Sequence, residues 1–291
     1  MEIAIIGPGA IGGFVAAQAA AAGHQVMVCA RTAFDRLRVE ADGRTTEYPV
    51  EIVTEERQGR PCEFVFLCTK AGQTQAAAGW LAATIGPRTR ALVVLQNGVE
   101  QVERATPFAQ GVPVLPCAIY IGSELIAPGH VRYFNLGATL ELPAGPLCEE
   151  LAAVFAGTPL RISPQQDMRT ALWRKLLANA AANPITALTG QRAHVLARPE
   201  LQDLIAALLD EVVAVARAQG AALGPADAAA TLARFAQLKP ASGVGSSMLY
   251  DRLAGRQMEF DALNGAVVRI GARHGISTPM NAAIVALLSV L

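Results

Sequence analysis

Charge of either sign is not in excess in this 291-residue chain: 24 lysines and arginines balance 24 aspartates and glutamates. No net field holds such a chain on nucleic acid or on an acidic membrane, so the expected ligand is a small molecule. Cysteine is sparse. Cys29, Cys62, Cys68, Cys117 and Cys148 are odd in number and lack the close pairs that zinc or redox sites need, so they read as reduced packing residues. The four histidines, His24, His130, His194 and His274, fall near turns or helix ends. That disfavours a histidine-based mechanism, and no His, Cys or carboxylate spacing resembles a metal-ligand set, so no metal is expected. Long apolar runs are missing as well. The first, EIAIIG, has strand length and no basic leader before it, and the stretch 280–291 is too short to span a bilayer. The 52% hydrophobic fraction is therefore assigned to buried cores, and the expectation is a cytoplasmic protein with no membrane association. No internal repeat is visible.

A chain of this length suits two cores better than one. Up to about residue 163, short apolar runs alternate with helical patterns, which predicts an α/β domain with a mostly parallel, doubly wound sheet of the Rossmann type. Strands are expected over 2–6, 25–30, 64–68 and 91–95, with a helix over 13–22 and an edge hairpin or strand over 44–53. Segments 112–121, 130–135 and 138–142 read as antiparallel strands completing that sheet. Beyond Pro164 apolar residues recur at spacings of three and four with almost no strand signal, which predicts an all-helical domain. Its helices are expected near 167–188, 199–219, 225–238, 255–274 and 279–290, and the domains are drawn as 1–164 and 165–291. The apolar helical domain could bury a face in a homodimer or be apolar for its own core.

Gly7-Pro8-Gly9-Ala10-Ile11-Gly12 follows a strand directly and opens an apolar helix, the context in which GxGxxG binds a dinucleotide. Gly7 permits the tight turn, Gly9 leaves the backbone open to the pyrophosphate, and Gly12 lets helix and strand pack closely. The helix N-terminus then offers unpaired N–H groups and partial positive charge to the phosphates. An NAD-binding unit carries Asp or Glu about twenty residues on, at the end of the second strand. Here that place reads Cys29-Ala30-Arg31. With no carboxylate to repel it, a 2′-phosphate could be held by the Arg31 guanidinium, so NADP(H) is expected over NAD(H). Two more loops follow strands of this domain. Lys70 could meet cofactor phosphate or ribose, or be an exposed loop charge. Asn97 could bond ribose or substrate, or form with Gly98 a turn pair chosen for positive φ.

In WRKLLANAAANPITAL, Lys175, Asn179 and Asn183 recur every four residues, along a stripe of about 12 Å on an otherwise apolar helix. The stripe reads either as a site or as a solvent-facing row on a helix that ends near Asn183-Pro184. Ser246-Ser247 and the segment around Glu259 and Asp261 form a second constellation. Ser247 could be an N-cap, and Glu259 a first-turn acid favoured by the helix dipole.

IIGPGAIGG, CTKAGQT, LQNGV, WRKLLANAAANPITALTG and SSMLYDRLAGRQMEFDALNG running into HGISTP together resemble the ketopantoate reductase family over essentially the whole chain. The resemblance implies an oxidoreductase that reduces 2-dehydropantoate to pantoate with NADPH, a step of pantothenate biosynthesis. It implies Lys175 as the general acid, Glu259 as the acid that binds substrate and supports that lysine, and Asn179, Asn183 and Ser247 as substrate-orienting residues. It further implies that Lys70 and Asn97 contact the cofactor or the substrate beside it and that Arg31 selects NADPH. One position departs: Val244 stands where members reducing ketopantoate often carry asparagine, and a pocket without that hydrogen bond would discriminate differently. That leaves room for a paralogue reducing another branched or bulky 2-oxo acid. The remaining alternatives are another Rossmann-plus-helical dehydrogenase and a non-enzymatic NADP(H)-binding sensor.

Overall fold

The computed structural model describes residues 1–239, 243 and 245–291. The chain divides into two compact units, Met1–Gln96 with Gln101–Met168, and Asn97–Glu100 with Arg169–Leu291. Among the described residues no helix is long and apolar enough to cross a membrane.

The first unit begins with β1 (Glu2–Ile6), α1 (Ala10–Ala21) and β2 (Gln25–Cys29). β3 (Leu37–Ala41) and β4 (Arg44–Tyr48) form a hairpin around Asp42 and Gly43, both at positive φ, and β5 (Glu51–Val53) follows. Then come β6 (Phe64–Leu67), α2 (Ala78–Thr84), β7 (Ala91–Val94), α3 (Gln101–Ala105) and β8 (Val114–Pro116). β9 (Ala118–Ala127), β10 (His130–Pro143), α4 (Pro146–Val154) and β11 (Leu160–Gln165) complete it.

Six strands form one sheet in the order β5-β2-β1-β6-β7-β8, all parallel. Ile3 and Ile5 enter one apolar cluster and Ala4 and Ile6 the other, as do Phe64 and Phe66 against Val65 and Leu67. A strand whose alternate residues are all buried is covered on both faces, which is why these runs carry no polar alternation. α1 is apolar all round because it shares one of those clusters with both sheets of the unit; Phe14 stacks on Tyr133 of β10 at 4.5 Å between ring centroids.

The expected antiparallel completion of the sheet is corrected. Only β8 joins the parallel sheet, and it does so in parallel. β9 and β10 belong to a second, five-stranded sheet in the order β11-β10-β3-β4, with β9 antiparallel on β10. Segments 130–135 and 138–142 are one strand, β10, whose register against β9 shifts between Tyr133 and Ala138, beside Gly137 at φ +89°. Likewise β4 is an edge of the second sheet whereas β5 is an edge of the first.

The second unit contains, among its described residues, helices and turns without a strand: α5 (Met168–Thr189), α6 (Gln202–Ala218), α7 (Pro225–Ala236), α8 (Ser247–Leu253), a π turn (Asp261–Gly265), α9 (Ala266–Arg273) and α10 (Pro279–Ser289). Proline opens α7 and α10 at the first helical position, where its missing N–H costs nothing. The core gathers Trp173, Leu176, Leu177 and Ala180 of α5 with Leu208, Leu209 and Val212 of α6 and Val267 and Ile270 of α9. The helix expected over 255–274 starts only at Asp261, and α8 precedes it as a separate helix. The helix expected over 167–188 runs from Met168 to Thr189 with Pro184 inside it, so the alternative in which it ends near Asn183-Pro184 does not hold.

Candidate functional site

In the first unit the strand order switches at β1, whose two neighbours are β2 and β6, and loops beyond the carboxyl ends of such strands bind ligands in doubly wound sheets. The turn of residues 7–12 lies at that point. Gly7 stands at φ +89° and its N–H donates to the Cys29 carbonyl at 3.1 Å. A Cβ on Gly12 would overlap the Gly7 carbonyl oxygen and lie 2.8 Å from Cys68 Cβ, so only glycine lets α1 approach β6 this closely. Gly9 is different: it is the N-cap of α1, at φ −73°, and a Cβ there would meet nothing within 4 Å. No side chain caps α1 and no acidic residue occupies its first turn. The backbone donors at this N-terminus, beside open space at Gly9, suit an anionic group such as a dinucleotide diphosphate. Pro8, Ala10 and Ile11 are half-buried in the same turn.

Arg31 is exposed two residues beyond β2, the strand beside β1. Lys70, half-buried, precedes a 3-10 turn after β6, and its carbonyl accepts the Gln73 N–H at 2.8 Å. Two buried glutamines hold this region. The Gln96 amide donates to Thr69 Oγ1 at 3.1 Å, and Gln101 Nε2 donates to the carbonyls of Gln96 at 2.6 Å and Cys117 at 2.9 Å. Sequence reasoning missed both, because a glutamine beside an Asn-Gly pair looks like any loop residue until its partners are known.

The second unit carries the other candidates. α5 places Lys175 and Asn179 half-buried and Asn183 buried, so the row runs from the boundary of the helix's packed face into the core and is not a solvated stripe. Asn97 belongs with this unit, and its Nδ2 donates to Glu259 Oε2 at 2.9 Å. The stretch that carries Asn97 is held from both sides. A Cβ on Gly98, at φ +93°, would overlap the Ala262 carbonyl oxygen, and Glu100 pairs with Arg269 at 2.8 Å and Arg273 at 3.4 Å. Arg269 also reaches Asp261 at 2.5 Å, and those carboxylates hold its guanidinium above the usual arginine range against the opposing effect of burial.

Ser247 is the exposed first residue of α8, not its cap. The cap is Ser246, whose Oγ accepts the Leu249 N–H at 3.1 Å and bonds Thr186 Oγ1 of α5 at 2.6 Å. α5 therefore fixes where Ser247 begins its helix. Val244 lies outside the described residues.

Comparison with known proteins agrees with both halves of this arrangement. Residues 3–145 match the family model described as ketopantoate reductase PanE/ApbA, and residues 167–291 match its C-terminal model. The 2-dehydropantoate 2-reductase of Caulobacter vibrioides is 38% identical over 99% of this chain and 98% of its own length. That of Mycobacterium tuberculosis is 36% identical over 99% and 96%. The crystal structure of a PanE/ApbA family ketopantoate reductase from Ralstonia eutropha JMP134 superposes with a TM-score of 0.90 at 31% identity, covering 100% of this chain and 98% of that one. With an α/β unit carrying the glycine turn and a helical unit carrying the lysine-asparagine row, each matched by its own family model, the chain belongs to the ketopantoate reductase family.

Proposed function

We propose that this protein reduces 2-dehydropantoate to pantoate with NADPH, an oxidoreductase step of pantothenate biosynthesis. The observation that carries the reading is the residue 7–12 turn, with an uncapped helix N-terminus and open space at Gly9, in a chain similar over its full length to 2-dehydropantoate 2-reductases. The turn would hold the diphosphate, with Lys70 beside it and Arg31 at the 2′-phosphate. Bound there, the reduced nicotinamide supplies a hydride to the ketone carbon.

Charge then develops on the ketone oxygen. The Lys175 ammonium stabilises that charge and transfers a proton from Nζ to the oxygen. The Glu259 carboxylate favours the charged lysine and, with Asn97 on its Oε2, helps orient the substrate. Asn179, Asn183 and Ser247 supply further donors and acceptors to the carboxylate and hydroxyl of 2-dehydropantoate. A second reading, a paralogue reducing another branched or bulky 2-oxo acid, is favoured by Val244 in place of an asparagine.

Steady-state NADPH oxidation with 2-dehydropantoate beside a panel of 2-oxo acids, ranked by kcat/KM, separates these. A dominant preference for 2-dehydropantoate is expected. A higher kcat/KM for another 2-oxo acid would replace the first reading by the second, and turnover of none would end both.

A further inference from the structure

Pro184 lies inside α5, where it leaves one backbone acceptor without its helical partner. A prolyl nitrogen carries no hydrogen, so the Ala180 carbonyl, four residues earlier, has no helical donor, and the ring crowds that carbonyl outward. Asn264 supplies the donor: its Nδ2 lies 2.8 Å from Ala180 O. The other Nδ2 hydrogen goes to Asn281 Oδ1 at 2.9 Å. Asn281 donates in turn to Glu211 Oε2 at 2.7 Å, and Glu211 also accepts the backbone N–H groups of Met280 and Asn281 at the start of α10. Asn264 and Asn281 are both 0% exposed. A polar relay thus runs from α6 through the α10 N-terminus to the interrupted turn of α5.

Asn264 Oδ1 is buried and meets no hydrogen-bond partner among the described residues. A buried amide left half satisfied costs stability relative to an apolar side chain of the same shape, so an asparagine at this place points to the donor half being needed. Asn264 also sits in the π turn, where the Gly265 N–H reaches back to the Phe260 carbonyl at 2.9 Å. One residue more than an α-helical turn rotates the next stretch of helix, and such turns are frequent at functional sites.

The two ends of the Ala180–Asn264 bond belong to the two segments that carry the acid–base candidates. Ala180 follows Asn179 and precedes Asn183 on the Lys175 helix, and Asn264 lies one π turn beyond Glu259. We infer that Asn264 is a positioning residue: by taking up the carbonyl that Pro184 releases, it sets the rotation and height of α5 against the Glu259 segment. Lys175, Asn179 and Asn183 thereby stand at fixed places relative to Glu259. The inference rests on the acid–base roles proposed for Lys175 and Glu259.

The test uses the full-length protein with Asn264→Leu, Pro184→Ala and the double variant, reading kcat, KM for 2-dehydropantoate, KM for NADPH and Tm. Asn264→Leu is expected to lower kcat about 10- to 100-fold, as misplacement of reacting groups does, with KM for NADPH within about twofold. Pro184→Ala restores an N–H to the helix, so in the double variant Tm recovers while kcat stays low, because α5 remains untied from the Glu259 segment. Recovery of kcat together with Tm would reduce Asn264 to helix satisfaction and overturn the inference. So would a folded Asn264→Leu protein with kcat within about twofold of the parent. If that variant does not fold, Asn264→Ser, too short to reach Ala180, is read by the same criteria. Lys175→Ala, assayed alongside, keeps the two levels apart: loss there with no loss at Asn264 sinks only the positioning role, and no loss at Lys175 sinks the acid–base reading itself.

Discussion

The Asn97 side-chain amide donates to the Glu259 carboxylate at 2.9 Å across 162 residues of chain. A carboxylate only accepts, so the amide nitrogen must face it, and Asn97 is defined by this bond as much as by the strand it follows. Asn97→Ala is expected to lower kcat/KM for the 2-oxo acid about 10- to 100-fold, the range for one hydrogen bond to a charged group. Asn97→Asp, which faces a second carboxylate toward Glu259, is expected to fall further. Both are read with NADPH saturating. An Asn97→Asp enzyme more active than Asn97→Ala would mean that the Glu259 contact plays no part in catalysis.

Lys175→Ala removes the proposed proton donor from α5. Its kcat is expected to fall about 10²- to 10⁴-fold, the usual worth of general acid catalysis. NADPH affinity, set in the proposal by the first unit's glycine turn, stays within about twofold when measured by fluorescence titration. Near-normal turnover would remove Lys175 from the mechanism.

Arg31 stands beyond β2 where a ribose-binding carboxylate would select NAD(H). Replacing it by alanine would remove the charge-assisted bond proposed to the 2′-phosphate, so the NADPH-to-NADH ratio of kcat/KM is expected to drop about 10- to 100-fold, chiefly through KM for NADPH. An unchanged ratio would assign cofactor choice to other residues.

The parallel strands were legible because both their faces are buried. Runs such as FVFL, bounded by turn residues, leave few other places to put them. The second sheet was not, because the irregularity between Tyr133 and Ala138 breaks β10 into two apparent strands and nothing local says which sheet a strand joins. At the candidate site, periodicity gave the Lys175-Asn179-Asn183 row, yet Pro184 suggested a helix end. The donor that lets α5 pass through it is Asn264, 84 residues away in sequence. Ser246 and Ser247 are adjacent and alike, so the division of labour between cap and first helical residue exists only in the folded backbone. Local pattern fixes elements; long-range satisfaction of single polar groups fixes where they stand.

Burial raises the pKa of every cysteine thiol: desolvation pushes Cys29 from 9.0 to about 12 and Cys62 to about 11, and raises Cys68, Cys117 and Cys148 as well. The folded chain keeps these protons longer than the unfolded chain, so their contribution to stability is complete below about pH 9 and is lost as pH rises toward the folded values. The urea midpoint in the presence of reductant is expected to fall between about pH 9 and about pH 11, and to fall less steeply in Cys29→Ala. Below that range all five thiols should react slowly with a disulfide reagent until the protein is unfolded. A thiol that reacts at once in the folded protein would contradict the desolvation of that residue.

Gly9 and Gly12 separate ligand room from packing room within one turn. At Gly12 a methyl group would overlap the Gly7 carbonyl and press on Cys68, so Gly12→Ala, although alanine is the better helix former by about 1 kcal/mol, is expected to lose about 1–3 kcal/mol of stability as β1, α1 and β6 are forced apart. At Gly9 the backbone is at φ −73° and the methyl would meet no protein atom within 4 Å, so Gly9→Ala should fold with a Tm close to the parent's, lowered only by the preference of an N-cap for glycine over alanine. If the diphosphate lies against that open face, the same methyl occupies its approach, and KM for NADPH rises while stability changes little. Thermal unfolding and NADPH titration of the two variants therefore give opposite patterns: lowered Tm for Gly12→Ala, weakened cofactor binding at a Tm close to the parent's for Gly9→Ala. A Gly9→Ala protein that binds NADPH as tightly as the parent would move the cofactor away from this turn, and with it the roles proposed for Lys70 and Arg31.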